Sequence, residues 1–163
     1  MGETETVATN PPVELPRGRF PGKLDDKGRL KLPADFQRFF NGLPETKLFF
    51  TSLDRGIAQL YPISEWRKNE QLFDSYTENP EAIATIAFNA NDLGADVEMD
   101  AQGRVLVHPD LRRELGMEGT DLHLIAAKGH IDIYTDARYQ AMKGQAVEQS
   151  TSHLNVLRRA GLR

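Results

Sequence analysis

The sequence predicts an α+β protein with a mostly β core, built from two tandem copies of one small fold. A short pattern occurs at 24–33 and again at 99–109: an apolar residue, Asp, two variable residues, Gly, Arg, an apolar-rich run and Pro. The segments 57–61 and 130–134 also correspond, since both end in Tyr and are followed by a large aromatic residue, Trp66 or Tyr139. A repeat of about 75 residues is too long for a solenoid unit. We therefore expect the turn to have the same role in both copies.

The repeated pattern predicts a tight turn followed by a strand. Asp25 is suited to bonding nearby N–H groups, and Gly28 to a positive φ. Because side chains alternate along a strand, 29–32 should place its two leucines on one face and its two basic residues on the other. The turn should thus present Arg29 at the start of a strand, on the polar side.

The rest of the first copy predicts two helices and two strands, with a further short helix before the second copy. Pro33 suits the first turn of a short helix that ends at Gly42. Strands are expected at 47–51 and 57–61. Ser64 is expected to cap a longer helix that stops at Asn79-Pro80, with another short helix at 81–89. Three aromatic residues of the longer helix are expected in the core: Trp66, Phe73 and Tyr76.

The second copy repeats this order. Its expected elements are strands at 97–99, 105–107, 122–126 and 131–134, a short helix from Pro109 to Gly116, a helix capped by Asp136, and a separate amphipathic piece at 151–159. Short strands whose helices do not alternate with them one by one favour an α+β or mostly β core over a parallel sheet. Leu30, Leu32, Val105 and Val107 should face inward, and Arg29 and Arg104 outward.

Composition excludes several classes of site. The chain has no cysteine, so disulfides and thiolate chemistry are excluded, and its four histidines fall into no metal-ligand spacing. No cofactor or metal is therefore expected. The chain has no apolar run of membrane-spanning length and no signal peptide, so no membrane association and a cytoplasmic location are expected. Residues 1–16 are expected to form a disordered tail, with order beginning near Arg17.

Charge is divided unevenly along the chain, although the net charge is only −4. Residues 17–38 contain seven basic and three acidic residues, whereas 69–103 contain eight acidic residues and no Lys or Arg. A protein with separated signs presents a basic face despite an acidic total. Nucleic acid therefore stays open as a partner.

Two interpretations of the turn compete. Asp25 with Arg29, and Asp100 with Arg104, could simply be exposed ion pairs, which contribute only about 0.2–1 kcal/mol each. Stability, however, does not require Arg at the same offset twice. An Arg braced by a carboxylate suits bidentate recognition of guanine, whereas lysines suit phosphates. The first copy has three lysines around its arginine: Lys23, Lys27 and Lys31.

The second copy is poorer in positive charge, with Gln102 where Lys27 stands. Loss of Arg104 should therefore matter less than loss of Arg29. One half alone should bind DNA weakly, and oligomerisation would multiply modest contacts through effective concentration. An enzyme is not expected, because pairing with Arg lowers the pKa of each Asp and disfavours general-acid work.

At these residues the sequence resembles the MraZ family, the regulators of the bacterial division and cell wall gene cluster. The resemblance covers roughly 17–150. The matching features are Arg17-Gly18, Asp25-x-x-x-Arg29, Leu60-Tyr61-Pro62-Ile63-Ser64-Glu65-Trp66 and Asp100-x-x-x-Arg104. Two correctly spaced copies together with the Tyr-Pro-Trp segment make this a specific signal.

The resemblance implies two AbrB-like swapped-hairpin halves that pack as a double-split β-barrel with flanking helices. The halves would span 17–66 and 95–139, with a helical connector at 67–94 and a C-terminal helical tail at 140–163. It also implies a homo-oligomeric ring, nucleoid-associated, that binds repeated promoter boxes in double-stranded DNA, as a repressor. The family's DNA-contacting motif carries over to Asp25, Arg29, Asp100 and Arg104.

Two other functions stay open. One is an oligomeric scaffold or protein-interaction module, for which the aromatic helix after Ser64 would be an interface. The other is an antitoxin-type DNA binder of related fold. A tandem motif within one chain argues against the antitoxin, because short antitoxins of that kind usually carry one copy and dimerise.

Overall fold

A computed structural model of the chain describes residues 14–163, which form eight strands and five helices. The strands are β1 Arg19–Gly22, β2 Arg29–Lys31, β3 Leu48–Thr51, β4 Ala58–Pro62, β5 Ala95–Val97, β6 Arg104–Leu106, β7 Leu122–Ala127 and β8 His130–Thr135. The helices are α1 Ala34–Asn41, α2 Ile63–Ser75, α3 Pro80–Leu93, α4 Pro109–Leu115 and α5 Asp136–Arg159. The predicted α+β class is confirmed.

The strands form a six-stranded sheet and a separate two-stranded ribbon. The order in the large sheet is β1-β7-β8-β4-β3-β5, and its paired strands run antiparallel. This order is symmetric about the central β4–β8 pair. Each copy lends its first strand to the other, since β1 pairs with β7 and β5 pairs with β3. The two copies are thereby interleaved.

The two-stranded ribbon, β2 with β6, joins the turns of the two copies. Leu30 lies opposite Val105 at its centre. One further hydrogen bond extends the ribbon at each end: Leu32 N–H donates to the Gly103 carbonyl, and Val107 N–H donates to the Gly28 carbonyl, both at 2.9 Å. Each strand that leaves one turn is thus bonded to the other turn, which fixes the two turns relative to one another.

One apolar core is shared by both copies. The four residues predicted to face inward, Leu30, Leu32, Val105 and Val107, are at most 1% exposed, which confirms the strand alternation. Phe36 of α1 and Leu111 of α4 occupy equivalent buried positions under the ribbon. Burial of such side chains contributes about 1.5–3 kcal/mol each. The ribbon therefore rests on a rigid base.

A second, smaller cluster shows how the copies have diverged. The Phe49 and Trp66 rings lie 4.5 Å apart in the first copy. The equivalent slot in the second copy holds His123 and Tyr139, whose rings stack at 4.0 Å. His123 also contacts Asp136 and Arg19, each at 2.9 Å. An apolar pair in one copy is therefore a polar cluster in the other.

Several predicted helix details are wrong. Pro62 and Thr135, rather than Ser64 and Asp136, occupy the N-cap positions of α2 and α5. Helix α2 ends at Ser75, and α3 runs to Leu93 rather than to residue 89. The segment after Asp136 forms one continuous helix instead of two pieces.

Burial of the three aromatic residues of α2 follows the prediction only in part. Trp66 is buried and Phe73 is half-buried, but Tyr76 is 41% exposed. Tyr76 has an extended backbone just beyond the end of the helix, so it leaves the helical stripe that buries the other two.

Two strands also differ from the prediction. Strand β1 is not anticipated, because Pro21 and Gly22 disfavour strands; Pro21 is tolerated since β1 lies at an edge of the sheet. Strand β5 begins and ends two residues earlier than expected. Most of the predicted disordered tail lies outside the described residues, but Leu15 already packs against the core. Among residues 14–163, no helix is long and apolar enough to cross a membrane.

Candidate nucleic-acid interface

The first turn is closed by hydrogen bonds to a single carboxylate. Asp25 Oδ1 accepts from the backbone N–H groups of Lys27 at 3.0 Å and Arg29 at 2.9 Å. Asp25 Oδ2 accepts from Arg29 Nε at 2.8 Å. Gly28 supplies the positive φ, +76°, that the turn requires. Arg29 is therefore held by its Nε, and its two terminal nitrogens bond to no described residue.

The second turn repeats this geometry. Asp100 Oδ1 accepts from the N–H groups of Gln102 at 3.0 Å and Arg104 at 2.9 Å, and Oδ2 accepts from Arg104 Nε at 2.8 Å. Gly103 has φ +77°. Gln102 adds one contact, accepting from Arg104 Nη2 at 3.1 Å. The sequence repeat thus folds into a geometric repeat.

Hydrogen bonding lowers the pKa of both carboxyl groups. For Asp25 the main cause is the backbone N–H of Arg29, opposed by desolvation and aided by the Arg29 side chain. For Asp100 the causes are the same, with Arg104 in place of Arg29. Each Asp is therefore ionised over the physiological pH range and keeps its arginine oriented.

Each turn is backed by a helix of the other copy. A side-chain atom added at Gly28 would collide with the guanidinium of Arg112 on α4, and one added at Gly103 would collide with the side-chain amide of Gln37 on α1. Gln37 Nε2 in turn donates to the Leu32 carbonyl at 2.7 Å. Arg112 Nε is buried without a hydrogen-bond partner among the described residues. Both turns are thus supported from behind.

The outward face of the ribbon gathers charge from both copies. Arg29 lies opposite Leu106, and Lys31 lies opposite Arg104. Arg29 and Arg104 are about a quarter exposed, at 27% and 28% of their side-chain surface, and point to the side away from the core, as predicted. Directly opposed residues have Cβ atoms about 4.5–5.5 Å apart. Three cations therefore share one small face.

The remaining predicted site residues lie around this face. Lys27 is exposed at the tip of the first turn, and Lys23 is exposed just before it. Neither lysine forms an ion pair with a described residue. All three lysines belong to the first copy, but Lys31 also lies beside Arg104 of the second copy.

Three residues near the turns escape a sequence analysis. Leu106 is 49% exposed beside Arg29, although it is a leucine in a strand. Strand alternation could have placed it outward, between the buried Val105 and Val107. Arg112 and Gln37 give no such signal, because their contacts with the opposite turn depend on how the copies interleave. No group of acidic or histidine residues able to hold a metal ion occurs within 14–163.

Comparison with known proteins decides the family. A family model described as "MraZ protein, putative antitoxin-like" matches residues 94–158. The transcriptional regulator MraZ of Acidobacterium capsulatum is 37% identical over 127 residues, covering 78% of this chain and 84% of the relative. The chain belongs to the MraZ family. MraZ of Thermus thermophilus is 34% identical over 128 residues, covering 77% of this chain and 85% of that protein.

Similarity to MraZ extends over both copies of the repeat, because 127 matched residues exceed the length of either copy. MraZ of Koribacter versatilis matches a shorter stretch, 39% identical over 99 residues, or 60% of this chain and 67% of the relative. These MraZ proteins are named as transcriptional regulators and not as enzymes. The expectation that the chain is not an enzyme is thereby confirmed.

Proposed function

We propose that this MraZ protein is a sequence-specific DNA-binding transcriptional regulator, acting as a repressor of a bacterial division and cell wall gene cluster. One observation carries the proposal: two carboxylate-braced arginines, one from each copy, lie on the same outward face of a two-stranded ribbon. The names of its relatives support the same class of function.

The ribbon suits the major groove of double-stranded DNA, which admits a two-stranded β-ribbon. Arg29 and Arg104 would each present a fork of terminal nitrogens to guanine O6 and N7, while Asp25 and Asp100 fix their orientation. The exposed Leu106 would contact a thymine methyl group beside Arg29. Sequence would thus be read by paired arginines with an apolar residue next to one of them.

The three lysines would supply affinity rather than sequence information. Lys23, Lys27 and Lys31 are exposed around the ribbon and would contact phosphates. Contacts of this kind release counterions, so binding would weaken as salt rises. The net charge of −4 does not oppose this, because most of the acidic residues lie outside the two turns.

The oligomer and the finer fold belong to the same proposal. We take 17–66 and 95–139 as AbrB-like swapped-hairpin halves of one double-split barrel, which the exchange of β1 and β5 supports. Residues 67–94 and 140–163, which lie outside the two halves, would form the contacts between subunits. A homo-oligomer, as a ring on repeated promoter boxes at the nucleoid, would multiply the modest contacts of one ribbon.

The experiment is a gel shift with DNA from upstream of the gene, using the full chain. Substitution of both Arg29→Ala and Arg104→Ala should abolish specific binding, because each engaged arginine contributes about 1–3 kcal/mol. The control is Arg138→Ala with Lys143→Ala, which removes two charges from exposed positions of α5. If the ribbon variant binds as well as the parent, the turns are only braces and the scaffold function is favoured.

A further inference from the structure

The side chain of Arg55 joins the turn between β3 and β4 to two helices. Its Nε and Nη2 donate to the two carboxylate oxygens of Glu114 on α4, at 2.6 and 2.7 Å. Nη2 also donates to Asp92 at 2.7 Å and Nη1 to Asn89 at 3.0 Å, both on α3. Isolated exposed ion pairs contribute little, but bidentate pairs within a network are the exception. We call these four residues the Arg55 cluster.

The equivalent turn of the second copy has the same backbone but no such cluster. Arg55 has φ +61°, a conformation that residues other than glycine rarely adopt. Lys128 occupies the equivalent position in the second copy and has φ +50°. A glycine follows each of them. Lys128, however, is exposed and forms no ion pair with a described residue. The turn therefore does not need the cluster for its own shape, and the bonds of Arg55 serve the helices.

Helix α4 lies between the Arg55 cluster and the first turn. It has only seven residues, so its position depends on contacts with the rest of the protein. Leu111 is buried in the core, and Glu114 binds Arg55. Residues two apart on a helix point about 200° apart, so Arg112 faces nearly opposite to Glu114. Arg55 therefore holds one side of α4, while the other side contacts the first turn through Arg112.

The bonds of Arg112 itself do little to fix its guanidinium group. Nη1 lies 3.5 Å from Glu118, whose side chain is 63% exposed, and Nε bonds to no described residue. Gln37, the equivalent residue behind the second turn, instead donates to the Leu32 carbonyl at 2.7 Å. The place of Arg112 against Gly28 is therefore set mainly by where α4 lies. The first turn depends on the position of its supporting helix more than the second turn does.

We propose that Arg55 is a positioning residue for DNA recognition by the first turn, acting through Glu114 and Arg112. The inference deepens the proposed function and rests on it for the role in DNA binding. Without the Arg55 cluster, α4 would shift and Arg112 would lose its contact with the turn. The hydrogen bonds by which Asp25 holds Arg29 would then weaken. Arg29 would present its terminal nitrogens to guanine less accurately.

Two substitutions that remove opposite charges test this role. Arg55→Ala removes a cation and Glu114→Ala an anion, from side chains that are 30% and 38% exposed, so the core should be undisturbed. Through charge alone, loss of Arg55 would raise the pKa of Asp25, whereas loss of Glu114 would lower it. Positioning predicts that both substitutions raise the pKa of Asp25, because both loosen the hydrogen bonds of the turn. The sign of the second shift therefore separates the two causes.

The measurement is a carboxyl NMR titration of the full chain without DNA. The Asp25 midpoint should rise in both variants, and the double variant should add little, because the two residues act as one pair. The Asp100 midpoint should not move, since α1 and not α4 supports the second turn. Lys128→Ala, at the position equivalent to Arg55, and Arg113→Ala, exposed on α4, are the controls and should leave Asp25 unchanged. An unchanged Asp25 midpoint in either variant, shifts of opposite sign, or an equal rise for Asp100 would overturn the proposal.

Affinity for the upstream DNA provides the second measurement. Both variants should lose about 2-fold to 30-fold in specific binding, the range found when residues remote from a site are coupled to it. Charge alone would instead make Glu114→Ala bind more tightly, because an anion that repels phosphates is removed. A Glu114→Ala variant that binds as tightly as the parent would contradict the role in recognition. If the parent itself does not bind this DNA, the proposed function fails, but the titration still decides whether Arg55 positions the turn.

Discussion

Lys31 lies directly across the two-stranded ribbon from Arg104, although the two residues belong to different copies of the repeat. Along the sequence, Lys31 is the neighbour of Arg29. In the structure it lies close to both arginines, because it follows Arg29 by two residues in β2 and lies opposite Arg104 in β6. Lys31 therefore adds positive charge beside Arg104 as well as beside Arg29, whereas Lys23 and Lys27 stay with the first turn.

This arrangement changes the expectation for the two arginines. We predict that Arg29→Ala and Arg104→Ala, made singly, weaken specific binding by similar amounts, about 1–3 kcal/mol for each engaged residue. The reason is that both have the same carboxylate brace and both have Lys31 nearby. Titration of one promoter box by fluorescence anisotropy provides the comparison. A tenfold smaller effect for Arg104→Ala would restore the ranking expected from sequence.

Lys31 itself should act without regard to sequence. Lys31→Ala is expected to weaken binding to specific and random DNA alike, and to reduce the slope of log K against log salt by about one. Affinities measured at several salt concentrations give that slope. Lys128→Ala serves as the control, since Lys128 is exposed on the turn between β7 and β8, outside the ribbon. Loss of discrimination instead of uniform weakening would mean that Lys31 contacts bases.

The glycines of the turns should be intolerant of a side chain. Gly28→Ala and Gly103→Ala each force a non-glycine residue to positive φ, which costs about 1–2 kcal/mol. The added atom would also displace Arg112 or Gln37. Chemical denaturation should show a lower free energy of unfolding for both variants.

Gly144 is the matched control for these glycines. It lies in α5 with no atom of another residue near its missing Cβ. Gly144→Ala should therefore stabilise the protein, by up to about 1 kcal/mol, because alanine favours a helix. If Gly28→Ala were as stable as the parent, the support of the first turn by Arg112 would be disproved.

Local sequence patterns correctly predict the features that depend on residues adjacent in the sequence, such as strand faces and helix ends. Alternation in 29–32 and 105–107 gave the correct buried residues, and Gly42 and Gly116 were correctly expected at helix ends. The pairing of β1 with β7 escaped prediction because it joins segments far apart, and the local Pro21 argues against a strand. For the same reason, the sequence does not indicate that Lys31 lies beside Arg104. The exchange of strands between the two copies, unlike the alternation of side chains along one strand, leaves no local pattern in the sequence.

The last prediction concerns pH. The pKa of Asp25 lies below its ordinary value of 3.8, chiefly through the backbone N–H of Arg29 and also through the Arg29 side chain. A group whose pKa is lowered by folding contributes stability above its unfolded pKa, and that contribution is lost as pH falls through the folded pKa. Both turns should therefore stay closed at pH 5 and above, and open only under strongly acidic conditions.

A carboxyl NMR titration of the parent should give midpoints below 3.8 for both Asp25 and Asp100. Arg29→Ala should raise the Asp25 midpoint only part of the way, because the substituted residue still donates its backbone N–H. Asp100 should keep its midpoint in that variant, since its partner is Arg104. A midpoint at or above 3.8 in the parent would show that the carboxylate does not hold the turn. Equal movement of both groups would show that the two turns are coupled and not independently braced.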